Sequence, residues 1–248
     1  MTHSKSQNWI ALLGVMFLPA LGLAQSADSL LARVDGFQVP YEEFLSRTRI
    51  TTYQDGTVDE DAVFDAYISG PEKSLIIQKE GRNREMKILY HEEKLWVSLP
   101  GSRRPLRITP IQRLMGQASN GDVARVGFRN DYTVQATRPD TVTGEACRVL
   151  RLKAKKASST YASIDLWVRA ADNRPVKADF YLTSGKRIKR AKYDRYELYQ
   201  GRPLLKGMTL FDEIRKNEKT VFIYEKIEPR SIPAHYYNKN YLVHVRDL

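Results

Sequence analysis

Apolar and polar residues alternate along most of this chain. In Val176–Leu182, Val176, Ala178, Phe180 and Leu182 share one face, opposite Lys177 and Asp179. In Ala162–Val168, Ile164, Leu166 and Val168 oppose Asp165 and, unusually, Trp167. In Thr220–Ile227, Val221 and Ile223 point one way, Phe222 and Tyr224 the other. A period of two is that of a β-strand. Phe44–Tyr53, Ala62–Ser69, Lys73–Glu80, Glu85–Tyr90, Leu95–Leu99, Cys147–Lys153, Ile188–Leu198 and Leu205–Ile214 read the same way. Turn chemistry separates them at Gly70-Pro71, Gly81-Arg82-Asn83, His91-Glu92-Glu93, Asp172–Pro175, Ser184-Gly185-Lys186 and Gln200-Gly201. Strands joined in succession by short polar turns predict a mainly β fold, an antiparallel meander of about eleven strands with short helices.

Helical spacing occurs in Ala27–Val34, where Leu30, Leu31 and Val34 recur and Asp28 can cap; Gly36 and Pro40 end it. The other helical candidate is Thr109–Ala124, an amphipathic connector that reaches an Asn120-Gly121 turn. Two short helices cannot cover the apolar face of about eleven strands. Strong curvature supplies the missing cover, because a bent sheet wraps its own concave face. The alternation leaves open whether the interior is an apolar trough or a filled core.

The first 24 residues fall outside this pattern. Lys5 lies in a polar start, Trp9 to Leu21 is an apolar run of 13 residues, and Gly22-Leu23-Ala24 offers small residues for cleavage. The run is too short to span a bilayer and reads as a secretory signal peptide, leaving 25–248 as a single domain. No later apolar run approaches about 20 residues, so the mature chain is not expected to span a membrane. The single cysteine, Cys147, excludes an internal disulfide and reads as a small core residue; it lies far from the cleavage site, where a lipidated protein would need a cysteine, so no lipid anchor is expected. The formal charge is +11, and loss of Lys5 with the signal leaves +10. That excess suits an anionic membrane surface, an acidic protein face or a phosphate-bearing lipid, and equally a solvated surface. Secretion argues against nucleic acid.

Several segments resemble, in order, the outer-membrane lipoprotein-sorting (LolA-like) family of Gram-negative bacteria, in particular its less characterised relatives. They are ADSLLARVDGF near the start, LWVSLPGSRRPLRITPIQRLMGQASNGDVA at Leu95–Ala124, IDLWVRAADNRPVKADFYLTSGK at Ile164–Lys186, and NEKTVFIYEKIEP with IPAHYYNKNYL near the end. The resemblance implies an incomplete, half-open barrel whose mouth is closed by a helical lid. It implies a periplasmic carrier holding the acyl chains of a lipoprotein or lipid on the concave face and handing them to an envelope acceptor; an inner-membrane transporter and an outer-membrane acceptor are the partners such a carrier would meet, and a monomer is the default expectation. An acyl chain gains about 0.8 kcal/mol per buried methylene, so a ~16-carbon chain gains on the order of 12 kcal/mol before the costs of ordering. The connector form LMGQASNGD sits with relatives thought to serve large lipid-exporting pumps of the RND/MMPL type, which leaves free lipid as plausible a cargo as lipoprotein. The alternative is an envelope sensor or adaptor that uses the fold to bind a membrane protein.

The residues that would line the cavity or its lid are Trp96, Leu99, Leu114, Met115, Leu166, Phe180 and Ile223; each also suits ordinary core packing. Arg103, Arg104, Arg107 and Arg113 follow Pro100 and could meet a phosphate or carboxylate, or form a solvated turn or the adaptor's docking face. The run Lys186, Arg187, Lys189, Arg190, Lys192 reads as a charged edge strand. Trp167 and its neighbouring tyrosines read as packing units.

Nothing in the sequence spells an enzyme. No G-x-S-x-G elbow occurs; Gly116–Gly121 comes near with the wrong spacing. His91, His235 and His244 show no metal-ligand spacing, and no zinc, P-loop or dinucleotide pattern is present. The reading is therefore no catalytic residue, no metal and no cofactor, with a lipolytic site assembled from distant residues as the remaining enzymatic alternative.

Overall fold

The computed structural model describes residues 27–125, 127–213, 217–246 and 248. The expected signal peptide lies outside the described residues. Strands β1 (Glu43–Gln54), β2 (Thr57–Ser69), β3 (Lys73–Glu80), β4 (Lys87–His91), β5 (Lys94–Ser98) and β6 (Leu106–Ile108) form the first half of one sheet. A small hairpin of β7 (Arg113–Met115) and β8 (Ala118–Ser119) stands apart from it. The second half holds β9 (Tyr132–Val142), β10 (Glu145–Ala154), β11 (Ser163–Arg169), β12 (Pro175–Tyr181), β13 (Arg187–Tyr199), β14 (Arg202–Asp212) and β15 (Glu218–Pro229).

The spatial order is β6-β5-β4-β3-β2-β1-β15-β14-β13-β12-β11-β10-β9. Each neighbour is antiparallel, and each half is a meander. The pairing of β1 with β15, from Phe44 opposite Pro229 to Gln54 opposite Glu218, joins the two halves. The sheet is strongly curved and not closed into a barrel, with β6 and β9 as its free edges.

The sheet has thirteen strands where the alternation predicts about eleven. The two extra strands are the edges. β6 is only three residues long, and β9 is largely exposed, so neither carries a buried stripe for periodicity to reveal. The connector is not the expected helix. It forms the β7–β8 hairpin and a five-residue helix α2 (Asn120–Ala124). Asn120-Gly121 is not a turn either but opens α2, because Asp122 Oδ2 accepts hydrogen bonds from Ser119 N (2.9 Å) and Ser119 Oγ (2.8 Å) and so caps the helix start. β13 lies between β12 and β14 and is no edge strand.

Helix α1 (Ala27–Asp35) matches its apolar spacing and buries Leu30, Leu31 and Val34. These side chains, with Val123 and Ala124 of α2 and Met115 and Ala118 of the hairpin, pack on the concave face against Ile50, Phe64, Ile76, Leu150, Leu166 and Leu205. The convex face of β1–β5 has its own cover. Two 3₁₀ helices, Ala234–Tyr237 and Lys239–His244, lay Ile232, Tyr237, Leu242 and Val245 over Leu45, Tyr67, Leu75, Ile77 and Leu89. This double burial explains the near-continuous apolar runs of β2 and β3. On the convex side of the second half, Cys147, Val149 and Trp167 form a small separate cluster. There Trp167 Nε1 donates to Asp140 Oδ2 (2.8 Å) and Lys177 Nζ sits 3.9 Å from the ring centre.

Candidate functional site

The concave face encloses a central cavity of about 90 Å³. Strand alternation sets its wall. Ala66 of β2, Ile164 of β11, Phe180 of β12, Met208 and Leu210 of β14 and Phe222 of β15 supply apolar surface. Ser46, Thr48, Tyr193 and Tyr224 add hydroxyls. Ser46 Oγ and Thr48 Oγ1 lie 3.3 Å apart. Burial pushes the phenols of Tyr193 and Tyr224 up, so both stay protonated at neutral pH. Around the cavity the interior is well filled, which settles the choice the alternation left open. A volume of about 90 Å³ is well below the ~300–1,000 Å³ of a ligand pocket, so a long cargo needs the cover to move.

That cover is the connector with α2, and a buried polar cluster fastens it. Lys189 Nζ of β13 donates to Gln117 O (2.6 Å) and to Asp122 Oδ2 (2.8 Å). Tyr161 Oη donates to Asp122 Oδ1 (2.6 Å). The side chains of Lys189 and Asp122 are 6% and 10% exposed. Burial alone would raise the Asp122 carboxyl, but the Lys189 ammonium and the hydrogen bonds from Lys189, Tyr161 and Ser119 hold it below its ordinary value. A second buried pair, Arg125 with Asp131, ties the chain after α2, and Arg125 Nη1 also donates to Ser158 O (2.5 Å). Asp35 at the end of α1 accepts from Phe128 N (2.6 Å) and Arg129 N (2.9 Å). Burial outweighs those bonds and pushes its carboxyl up to about 6.

Close packing seats the cover. Gly116 has φ +49, and a Cβ there would strike the side chains of Thr52 and Thr220, whose strands β1 and β15 lie beneath. A Cβ at Gly121 would strike Thr160. Gln117 N donates to Thr220 Oγ1 (2.8 Å). Only a residue without a side chain admits the hairpin and α2 at this distance.

The expected cavity residues divide. Phe180 lines the cavity and packs against Tyr161 with the rings tilted by 42° and their centres 4.5 Å apart. Leu166 is fully buried in the concave core, and Met115 and half-buried Leu114 pack against that core from the connector. Three others lie elsewhere. Trp96 is on the convex side, with Lys239 Nζ 4.9 Å from its ring centre, because its neighbours Leu95 and Val97 take the concave positions. Ile223 pairs with Arg49 on the outer face while Phe222 and Tyr224 face inward. Leu99 is exposed in the β5–β6 turn. Arg103, Arg104 and Arg107 are exposed and form no ion pair among the described residues, whereas Arg113 lies 3.9 Å from Glu218. Sequence reasoning missed Lys189, Asp122 and Tyr161. The available signal was phase: Lys189, Ala191 and Tyr193 fall on one buried stripe of β13. Among the described residues no cluster of His, Cys, Asp and Glu could hold a metal ion, and no helix is long and apolar enough to cross a membrane.

With this geometry, three comparisons bear on kinship. A family profile described as "Uncharacterized protein" matches residues 70–244. No curated protein matches the chain. Among solved structures, a LolA superfamily protein from Nitrosomonas europaea is 31% identical over 87% of this chain and 98% of its own, with a TM-score of 0.80. A DUF1329 family protein from Desulfovibrio piger is 20% identical over 87% of this chain and 97% of its own, TM-score 0.69. A domain named for outer membrane lipoprotein sorting, from Vibrio parahaemolyticus, is 17% identical over 88% and 96%, TM-score 0.70. The last two share the fold.

Proposed function

The chain belongs to the LolA superfamily, and from that premise we propose that it is a non-enzymatic carrier of acyl chains in the periplasm. Residues 1–24 direct export and are removed, and 25–248 work as one monomeric domain. The cargo is a lipoprotein or a free lipid, received from an inner-membrane transporter and passed to an outer-membrane acceptor. The observation that carries this reading is a curved sheet whose apolar concave face is covered by short elements, fastened by a buried polar cluster as well as by apolar packing, around a small central cavity. Opening residues 109–125 returns Lys189 and Asp122 to water, which offsets much of the cost of breaking their pair. It also bares the aliphatic and aromatic wall formed by Ile164, Phe180, Met208 and Phe222. Acyl burial there supplies the driving force without covalent chemistry.

The test is native mass spectrometry of gently purified protein together with titration of a fluorescent fatty acid. Co-purified lipid and saturable binding are expected. Ala66→Leu, which fills the cavity, should weaken fatty-acid binding about tenfold, the equivalent of ~1.4 kcal/mol, with the fold retained. No lipid in the spectrum and no fatty-acid binding would sink the carrier reading.

A further inference from the structure

We propose that the β6 edge of the sheet is a docking surface for an anionic phospholipid bilayer. This assignment is independent of what the cavity carries. From Lys94 to Gly121 the chain has no acidic residue, while Lys94, Arg103, Arg104, Arg107 and Arg113 are basic. This run holds β5, the β5–β6 turn, β6 and the start of the connector, so the sheet's free edge concentrates its charge. Ion pairs neutralise much of the rest of the surface: Arg47 with Asp65, Arg49 with Asp61, Arg151 with Asp165, Arg187 with Asp179. Arg103, Arg104 and Arg107 have no such partner among the described residues.

The second observation is apolar. Five large apolar side chains are exposed among the described residues, and three of them, Leu99 (45%), Leu106 (52%) and Ile111 (39%), lie in this run. Leu99 and Leu106 flank the turn that carries Arg103 and Arg104. Beside the turn, a groove of about 440 Å³ on the convex side adds Arg84, Lys87 and Arg246 to the field; among its described lining residues Glu85 is the one acidic side chain, and Lys79 Nζ donates to Leu248 O (3.4 Å). Unpaired guanidinium groups interleaved with solvent-facing leucines match the interface of an anionic bilayer. Arginine meets lipid phosphate through paired hydrogen bonds while the leucines enter the acyl boundary. The same run continues into the connector over the cavity, so docking here would bring the cover to the membrane.

Co-sedimentation with phosphatidylcholine vesicles, with and without phosphatidylglycerol, tests this. Wild type should partition onto the phosphatidylglycerol vesicles and lose that binding as salt rises from about 0.1 M to about 1 M, where the screening length falls from ~10 to ~3 Å. The triple variant R103E/R104E/R107E should bind at least about a hundredfold more weakly, since each surface cation contributes roughly fivefold and the new carboxylates add repulsion. The pair Leu99→Ser with Leu106→Ser should weaken binding and leave the salt dependence in place. K153E/K186E/R195E, an equal charge change at exposed sites away from this edge, is the control and should lose only a fewfold. Any apolar N-terminal segment retained on the protein is common to every variant and cancels. All the substituted residues are exposed, and circular dichroism checks the fold. Equal losses in the two charge-reversal triples would reduce the effect to net charge and overturn the assignment. So would wild type that ignores phosphatidylglycerol, including the case in which the same arginines capture an acidic protein domain instead.

Discussion

Over the concave face, residues 109–125 bury Met115, Ala118, Val123 and Ala124 and are held in addition by a lysine, two carboxylates, an arginine and a tyrosine hydroxyl, all largely buried. Over the convex face, residues 231–246 are held by Ile232, Tyr237, Leu242 and Val245 against five apolar side chains. The first segment spans both halves of the sheet and the second covers strands β1–β5, and their energetics differ. Separating apolar surfaces exposes them to water with nothing in return, so the convex cover behaves as a clamp. Separating a buried ion pair exposes groups that water solvates well, so much of the interaction is recovered outside. A polar fastening is therefore the one suited to repeated opening. Gly116 and Gly121 set the cover down closely on β1, β15 and Thr160, where any side chain would clash.

The sharpest way to break this contrast is to orphan one charge of the polar fastening. Asp122→Ala leaves Lys189 buried without its carboxylate and should lower unfolding free energy by about 3–5 kcal/mol in urea titration. The double variant Asp122→Leu with Lys189→Met removes both charges and should recover part of that loss, the shortfall coming from Ser119, Tyr161 and Gln117, which lose their partners. If Asp122→Ala costs under ~1 kcal/mol, the cover is not held by this pair. On the other side, Leu242→Ala should cost about 2–5 kcal/mol, the range for a buried leucine, and leave fatty-acid binding unchanged. Loss of binding in that variant would mean that the two covers are one unit.

Much of this architecture was legible in the sequence because one-sided burial writes itself as alternation. Thr220–Ile227 gave the correct faces, and the polar turns gave the meander; in Val176–Leu182, Ala178 and Phe180 face the concave core, but a bulge between Pro175 and Lys177 turns Val176 to the convex cluster of Cys147, Val149 and Trp167. Legibility failed where burial was absent, doubled or polar. β9 is largely exposed and writes no stripe. Trp96 and Ile223 are large apolar residues that sit on the outer face, and choosing them by size overrode the parity that placed Leu95 and Phe222 inward. Lys189 sat in phase with Ala191 and Tyr193, but a lysine reads as surface until its partner is known, and Asp122 lies 67 residues away. The connector misled because Asn-Gly signals a turn unless a carboxylate three residues past the cap turns it into a helix start, as Asp122 does for Ser119.

A smaller effect separates Asp122, which fastens the concave cover, from Asp35, which holds the chain just after it at Phe128 and Arg129. Asp35 has a raised carboxyl, about 6, so the folded state binds its proton more tightly than the unfolded chain. Its contribution to stability grows as pH falls through about 6 and levels off below the ordinary value of ~3.9. Asp122 is depressed, so its contribution is full above ~3.9 and is lost as pH falls through its own lower value. Stability should therefore rise from pH 7 to 5 through Asp35 and fall only at stronger acidity. Carboxyl NMR should find the Asp35 midpoint near about 6, and Asp35→Asn should flatten the melting profile across that window. A midpoint near ~4 would mean that the backbone N–H groups of Phe128 and Arg129 outweigh burial.

The smallest effect lies on the convex face beyond both covers. Arg49 reaches three carboxylates, Asp61 at 2.5 Å, Glu225 at 2.8 Å and Glu80 at 3.4 Å, more than Lys189 reaches. Its side chain is 36% exposed against 6% for Lys189, so water and salt screen the same Coulomb attraction. Arg49→Ala should cost about 0–1 kcal/mol in urea titration, and less at 1 M salt than at 0.1 M. The partners it abandons remain solvated, unlike the Lys189 left behind by Asp122→Ala. A measured cost above ~2 kcal/mol would show that the number of ion pairs, and not their burial, sets their weight in this sheet.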